Sequence, residues 1–303
     1  MAALGLAWMV WPSQDADRWY QPRVEHPAFT ERPRPRVLFD EAHLNTHTSD
    51  GRYRTFARLL GRDGFSVLPS EGRITADLLG SGEIFVTVNP LGYKGLAQHL
   101  ATLAGFDRSI HLDADAFAGR EIDALSSWVS NGGRALIIAD HAPAGLAARR
   151  LALAFGVEMT NGWVEDHGVD VEFSRENGGL ADHPITNGRN PAERVETVAT
   201  FTGQALRAPP GAAALLRFSG TAREYPFRRS TGQEARSVAG LAQAVALVHG
   251  RGRVVVLGDA AALTAQRIEM RGQPSLLIGM NRQGIDNKQF ALNIMHWLMG
   301  LFE

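Results

Sequence analysis

Three short, almost unbroken apolar runs constrain this chain more than anything else: Arg36–Asp40 (RVLFD), Ile84–Val88 (IFVTV) and Ala135–Ala139 (ALIIA). A strand that is apolar at every position has no face left for water, so runs of this kind belong in a parallel sheet covered on both sides. The segments between them read as helices. Tyr53–Leu60 carries Tyr53, Phe56, Leu59 and Leu60 at helical spacing, and Gly61 and Gly64 end it. Phe65–Leu68 is a further strand and Ile74–Leu79 a short helix. From about Ala116 to Ser130, Phe117, Ile122, Leu125, Trp128 and Val129 make one inner face, stopped by Asn131-Gly132-Gly133. Leu146–Phe155 is the next helix. Alternating strands and helices with right-handed crossovers predict a flavodoxin-like, doubly wound parallel α/β sheet. Its functional loops are expected at the C-terminal ends of the strands.

The second half reads differently. Residues 157–235 are rich in Gly, Pro, Asn and charge, with short strand-like pieces at Val195–Phe201 and Ala213–Phe218, and are expected to form a β-rich insertion. Leu241–Val248 and Arg253–Leu257 are joined by His249-Gly250-Arg251-Gly252, which suits a hairpin. A terminal helix runs from about Asn287 to Phe302, with Phe290, Ile294, Trp297, Leu298 and Leu301 on its buried face. Asp286 and Gln289 have the spacing of a capping box at its start. The expected organisation is an apolar tail and Pro-rich linker over residues 1–35, then one α/β domain over 36–303. Residues 13–35 are read as a strap over the surface and not as a regular element.

Several function classes fall away on composition. The 303 residues are 45% apolar and 21% charged, and the net charge of −1 exerts no global pull on nucleic acid or anionic lipid. No run of Lys and Arg is long enough for a nucleic-acid arm. There is no Cys, which removes disulfides, thiolate metal sites and a cysteine nucleophile. Residues 2–12 (AALGLAWMVWP) are too few to span a bilayer. They lack the basic lead of a signal peptide, and read either as a clipped export signal or as a plain hydrophobic tail. The first reading tips localisation toward export or the periplasm, against the cytoplasm.

Polar clusters sit at the ends of the apolar runs. Starting on the last residue of the first run, Asp40, Glu41, His43, Asn45, His47 and Thr48 fall within nine residues, a set able to hold a metal, bind an anion or move a proton. His43 and His47 are four apart, but HLNTH lacks the glutamate of the zincin motif. The alternative is a turn in which Asp, Asn and Thr satisfy backbone groups. Asp140-His141 follows ALIIA, at the place of a nucleophile elbow, in a sequence with neither Ser nor Cys there. Asp140 equally suits a helix cap. Asp259 repeats the strand-end acid after RVVVL. His183, in Asp182-His183-Pro184-Ile185-Thr186, reads as part of a turn, and His296 as packing beside Trp297.

The stretches FDEAHLNTHTSDGRY, WVSNGGRALIIADHAP, HPITNGR, TFTGQAL, GRVVVLGDAAALTAQ and DNKQFALNIMHWL together resemble a family of uncharacterised bacterial proteins. That family is similar to the class I glutamine-amidotransferase-like domains grouped with ThuA-like and gliding-motility GldG-like proteins. The resemblance covers about residues 36–303 and implies a flavodoxin-like sheet with a degenerate amidotransferase site. Where amidotransferases carry G-x-C-x-G, this chain has Ala139-Asp140-His141-Ala142-Pro143, so glutaminase chemistry is not expected. The ThuA-like kinship implies a carbohydrate-related role by fold analogy. Three readings stay open: a ligand-binding domain for a small molecule, carbohydrate or envelope component; a hydrolase, metal-assisted or not, using His43, His47, Asp140 and His141; and an interaction module of a membrane-associated assembly. No cofactor is expected apart from a divalent metal on the hydrolase reading.

Overall fold

The computed structural model describes residues 13–93, 100, 115–168, 170–226, 234–269 and 274–302. The apolar segment 2–12 and most of the connection between residues 89 and 117 lie outside them. The strands are β1 (Ser13–Ala16), β2 (Arg36–Asp40), β3 (Ser66–Ser70), β4 (Ile84–Val88), β5 (Arg134–Ile138), β6 (Glu158–Met159), β7 (Trp163–Glu165) and β8 (Asp170–Ser174). There follow β9 (Thr197–Phe201), β10 (Leu206–Arg207), β11 (Ala213–Arg217), β12 (Arg223–Tyr225), β13 (Arg236–Ser237), β14 (Ala242–His249), β15 (Gly252–Leu257), β16 (Ala265–Glu269) and β17 (Leu276–Gly279). The helices are α1 (Arg54–Asp63), α2 (Ala76–Leu79), α3 (Gly119–Ser130), α4 (Ala144–Leu153), α5 (Pro184–Asn187) and α6 (Asn287–Met299).

The three apolar runs become β2, β4 and β5, and with β3 and β15, the second arm of the expected hairpin, they form the parallel part of the central sheet in the order β3-β2-β4-β5-β15. Numbered among themselves these strands run 2-1-3-4-5, which is compatible with a flavodoxin-like fold carrying insertions. Their alternate residues feed two cores. Val37, Phe39, Val86 and Val255 pack with Phe56 and Leu60 of α1 and Phe290 of α6. Leu38, Phe85, Ile137 and Val256 pack with Leu125 of α3 and Leu151 of α4. Each such side chain contributes about 1.5–3 kcal/mol by leaving water, and both faces need that cover at once. The hairpin forms as expected, β14 running antiparallel to β15 with His249 opposite Gly252. The sheet continues in antiparallel sense, because β10 and β11 pair with β14, and β6 with β10. The remaining pieces of residues 157–235 make a β13-β12-β7 sheet, while β8 pairs with β9.

Three local expectations are corrected. Residues 13–16 are a regular strand, paired with β16 from Ser13↔Glu269 to Ala16↔Gln266; a partner about 250 residues away leaves no trace in local sequence. Asp286 caps nothing with its side chain. Its carboxylate instead accepts from the amides of Glu196 (2.7 Å) and Thr197 (3.0 Å), tying the start of α6 to β9. Leu301 lies beyond the end of α6 and is exposed.

The rest of the strap is pinned to the C-terminal end of α1. The Asp63 carboxylate accepts from Ala28 N (2.9 Å), its carbonyl accepts from Phe29 N (3.0 Å), and Phe29 packs edge-on to Phe65 at 4.7 Å. Gly64 ends the helix at φ +99°, and a Cβ there would sit 1.8 Å from the Phe29 carbonyl oxygen. Gly64→Ala is therefore expected to lower stability by more than ~1 kcal/mol, through left-handed strain and displacement of the strap. Equilibrium denaturation with an unchanged midpoint would show that neither matters.

Candidate functional site

The parallel strands β2, β4, β5 and β15 each carry a polar side chain at the same rim: Asp40 ends β2, and Asn89, Asp140 and Asp259 follow the other three within two residues. The crossovers diverge between β2 and β4, and an open sheet has its natural crevice at such a point. Two polar clusters occupy this rim.

The first is built on Asp40 and His43. One Asp40 oxygen accepts from His43 Nδ1 (2.7 Å) and Ala42 N (3.2 Å). The other accepts from Thr87 Oγ1 (2.7 Å) and Asn45 Nδ2 (3.3 Å). His43 Nε2 lies 3.3 Å from Oε1 of Glu121, whose carboxylate also accepts from Ala118 N and Ile74 N at the start of α3. The imidazole is 6% exposed and packs on Phe117 at 4.2 Å. Ionised carboxylates only accept, so facing one from each ring nitrogen calls for a doubly protonated ring. Burial pulls the His43 pKa down, but the Asp40 hydrogen bond and the charges of Asp40 and Glu121 prevail and hold it above its ordinary value.

The second cluster centres on Asn89. Its side chain donates to Asp140 Oδ2 (2.6 Å) and accepts from the Asp140 amide (2.8 Å). Its own amide donates to Ile138 O, its carbonyl accepts from Thr46 N, and its Nδ2 stands 3.3 Å from His47 Nδ1. The loop after β2 and the loop after β5 are thus joined through one amide side chain. Burial drives His47 down to about 4 with Arg52 assisting, against the opposing charge of Asp140, so this imidazole is neutral at pH 7. Asp140 Oδ1 accepts from Ala260 N at 2.5 Å. Asp259 is fully buried and accepts from Phe201 N and Ala262 N; burial, then the nearby charge of Asp140, pushes its pKa well up. Tyr53 donates to Ala260 O (2.8 Å) and stands edge-on to His47.

The remaining candidates serve other parts. Glu41 accepts from the amide and hydroxyl of Ser49, and Thr48 donates to Asp50 while accepting from Gly51 N, so both hold the turn before α1. Asn45 accepts from His43 N and donates to Val88 O, stapling the loop to β4. His141, next to Asp140, is half-buried; its Nδ1 is 2.8 Å from Ala142 O and its ring 6.1 Å from Trp163. Trp163 in turn packs on Tyr225 at 6.2 Å and donates to Glu165. Asp140 is not the cap of α4, whose N-cap is Pro143. His183 does not end in a plain turn: it caps the short helix α5, accepting from Ile185 N. His296 pairs with Asp63 at 2.7 Å in addition to packing. Among the described residues no three His, Asp or Glu side chains gather as a metal-ligand set.

Sequence reasoning missed Asn89, Glu121 and Gln204. Asn89 directly follows IFVTV, and the strand-end rule that singled out Asp140 would have found it. Glu121 adjoins the apolar Ile122 in its helix, and only the fold brings the His43 imidazole to its carboxylate. Gln204, fully buried in TFTGQAL, donates to the carbonyls of Ala139 and Asp140 (2.9 Å each) and accepts from Asn161 N, bracing the elbow from below.

No protein-family model matches the sequence, and no curated protein matches it. Among solved structures, the chain is similar to the mmIFT52 N-terminal domain, with 13% identity over 87% of this chain and 97% of that one, at TM-score 0.58. It is also similar to a GMP synthase-like protein from Thermoplasma acidophilum (8% identity, 89% and 97% covered, TM-score 0.47). A third is a ThuA-like protein from Bacteroides uniformis (10% identity, 91% and 94% covered, TM-score 0.42). The first of these likenesses is one of fold: a mixed α/β domain with a mostly parallel central sheet.

Proposed function

We propose that the chain is a degenerate amidotransferase-like domain that binds a small polar ligand, of carbohydrate or cell-envelope type, and does not hydrolyse glutamine. One observation carries the reading. Where an amidotransferase elbow places its thiol, this chain places half-buried Asp140 and His141, and His141 lies beside the half-buried aromatic pair Trp163 and Tyr225. A carboxylate, an imidazole and aromatic faces suit a polyhydroxylated ring: the first two exchange hydrogen bonds with hydroxyls, and the rings cover its C–H face. The elbow itself is held by Asn89, Gln204 and Ala260 N, so the site is rigid before any ligand arrives.

Titration with mono- and oligosaccharides, including envelope fragments, is expected to quench tryptophan fluorescence, and His141→Ala or Trp163→Ala to abolish the response. An ammonia-release assay with glutamine is expected to show nothing above background. Glutamine turnover that scales with purified protein, or a saccharide panel without any response, would sink the reading. The joining of the His47 and Asp140 loops through Asn89 favours a second reading, a hydrolase using His43, His47, Asp140 and His141. Stoichiometric divalent metal in protein purified without added metal would move the assignment to a metal-assisted form of it.

A further inference from the structure

The solvent face of α1 is a row of arginines of which the fold uses only the last. Arg54, Arg58 and Arg62 are spaced by four, while Thr55, Phe56, Leu59, Leu60 and Asp63 make the buried side. Arg58 and Arg62 are exposed and Arg54 is half-exposed. Asp63 is the helix's own acid, and it is turned inward to His296 and Ala28. Among the described residues the guanidinium groups of Arg54 and Arg58 have no hydrogen-bond or ion-pair partner. Arg62 donates to neutral acceptors, the Pro22 carbonyl and the Gln21 side chain, so its charge is not compensated. Those same bonds bring exposed Arg23 of the strap to this end of the helix. Like charges four apart work against a helix, so Arg54 and Arg58 have no explanation in stability.

We propose that this face docks on an anionic lipid surface. A duplex would be drawn by the same charges, but the chain carries a second signal that only a bilayer can use. Residues 2–12, AALGLAWMVWP, immediately precede β1. Arg52 donates to Gln14 O (3.1 Å), so the strand that continues this apolar segment is held beside the start of α1. Too short to cross a membrane, the segment is suited to lie in the interface, where an apolar insertion and a basic patch each bind weakly and add. Among the described residues no helix is long and apolar enough to span. The docking face is on α1 and the strap, and the proposal does not depend on the ligand at the strand ends.

Flotation of the full chain with vesicles tests it. Vesicles of phosphatidylcholine with phosphatidylglycerol are expected to carry the protein, phosphatidylcholine alone to carry far less, and added salt to release it. Arg54→Ala with Arg58→Ala is expected to lower partitioning about thirtyfold, from roughly fivefold per arginine near such a surface. Arg54→Lys with Arg58→Lys should retain binding, and both variants should melt no lower than the parent. Wild-type protein that ignores anionic vesicles, or an alanine pair that binds them as the parent does, overturns the proposal. So does arginine-dependent binding to duplex DNA without binding to vesicles, which would assign the face to nucleic acid.

Discussion

Replacing His43 with alanine is expected to cost about 3–5 kcal/mol, because it strands the carboxylates of Asp40 and Glu121 around an empty position where His43 now bonds to both. That is a large part of the ~5–15 kcal/mol that typically stabilises a domain. The effect should depend on pH in one direction. The folded pKa of His43 lies above its ordinary value of 6.5. The imidazolium's contribution is therefore complete below about 6.5, and is lost as pH rises through the raised folded value. Urea denaturation of wild type and His43→Ala at a series of pH values measures this: the gap between them should be widest in mild acid and narrow toward alkaline pH. A gap that widens with pH, or a variant within ~0.5 kcal/mol of wild type throughout, would mean that the two carboxylates do not hold a charged ring. The loop would suffer with the pair, since the His43 carbonyl also accepts from Leu91 N and Gly92 N.

Trp297→Ala is expected to cost roughly 3–5 kcal/mol, as buried aromatic truncations do. Trp297 is 5% exposed; the Arg253 guanidinium lies 5.0 Å over its ring, and His183 stands edge-on at 5.4 Å. Arg253 also donates to the carbonyls of Trp297 and Phe302, so losing the ring loosens the seam between β15 and the end of α6. The rival view makes the helix a detachable arm for a partner. Unchanged thermal stability with lost oligomerisation or partner binding would decide for the arm. The structure speaks for the core, and more strongly than a one-sided stripe would. From Phe290 to Leu298 every residue of α6 is buried. The side away from the sheet is closed by α5 and the chain after it, through Asn293 donating to Ile185 O and Glu193 O, and by the strap, through Phe29 against His296.

What could be read from residue order was what neighbours in sequence impose on each other. RVLFD, IFVTV and ALIIA are apolar over whole strands, and that alone demands a sheet covered twice; the acids Asp40 and Asp140 then fall at one rim because parallel strands end there together, and Asp259 joins them because the structure sets β15 parallel to β5. The hairpin at His249–Gly252 was legible for the same reason, since its turn chemistry is contained in four residues.

The tertiary structure alone decided which groups meet. His43 finds Glu121 across 78 positions, β1 pairs with β16 across most of the chain, and Asp286 is drawn from its own helix to two amides of another segment. A net charge of −1 hid an arginine face that exists only because α1 turns its acid inward and the strap lays Arg23 beside it. Periodicity records which side of an element avoids water. Hydrogen-bond partners, burial on the second side and the gathering of like charges depend on which elements pack together, and that is settled by the free energy of the whole chain.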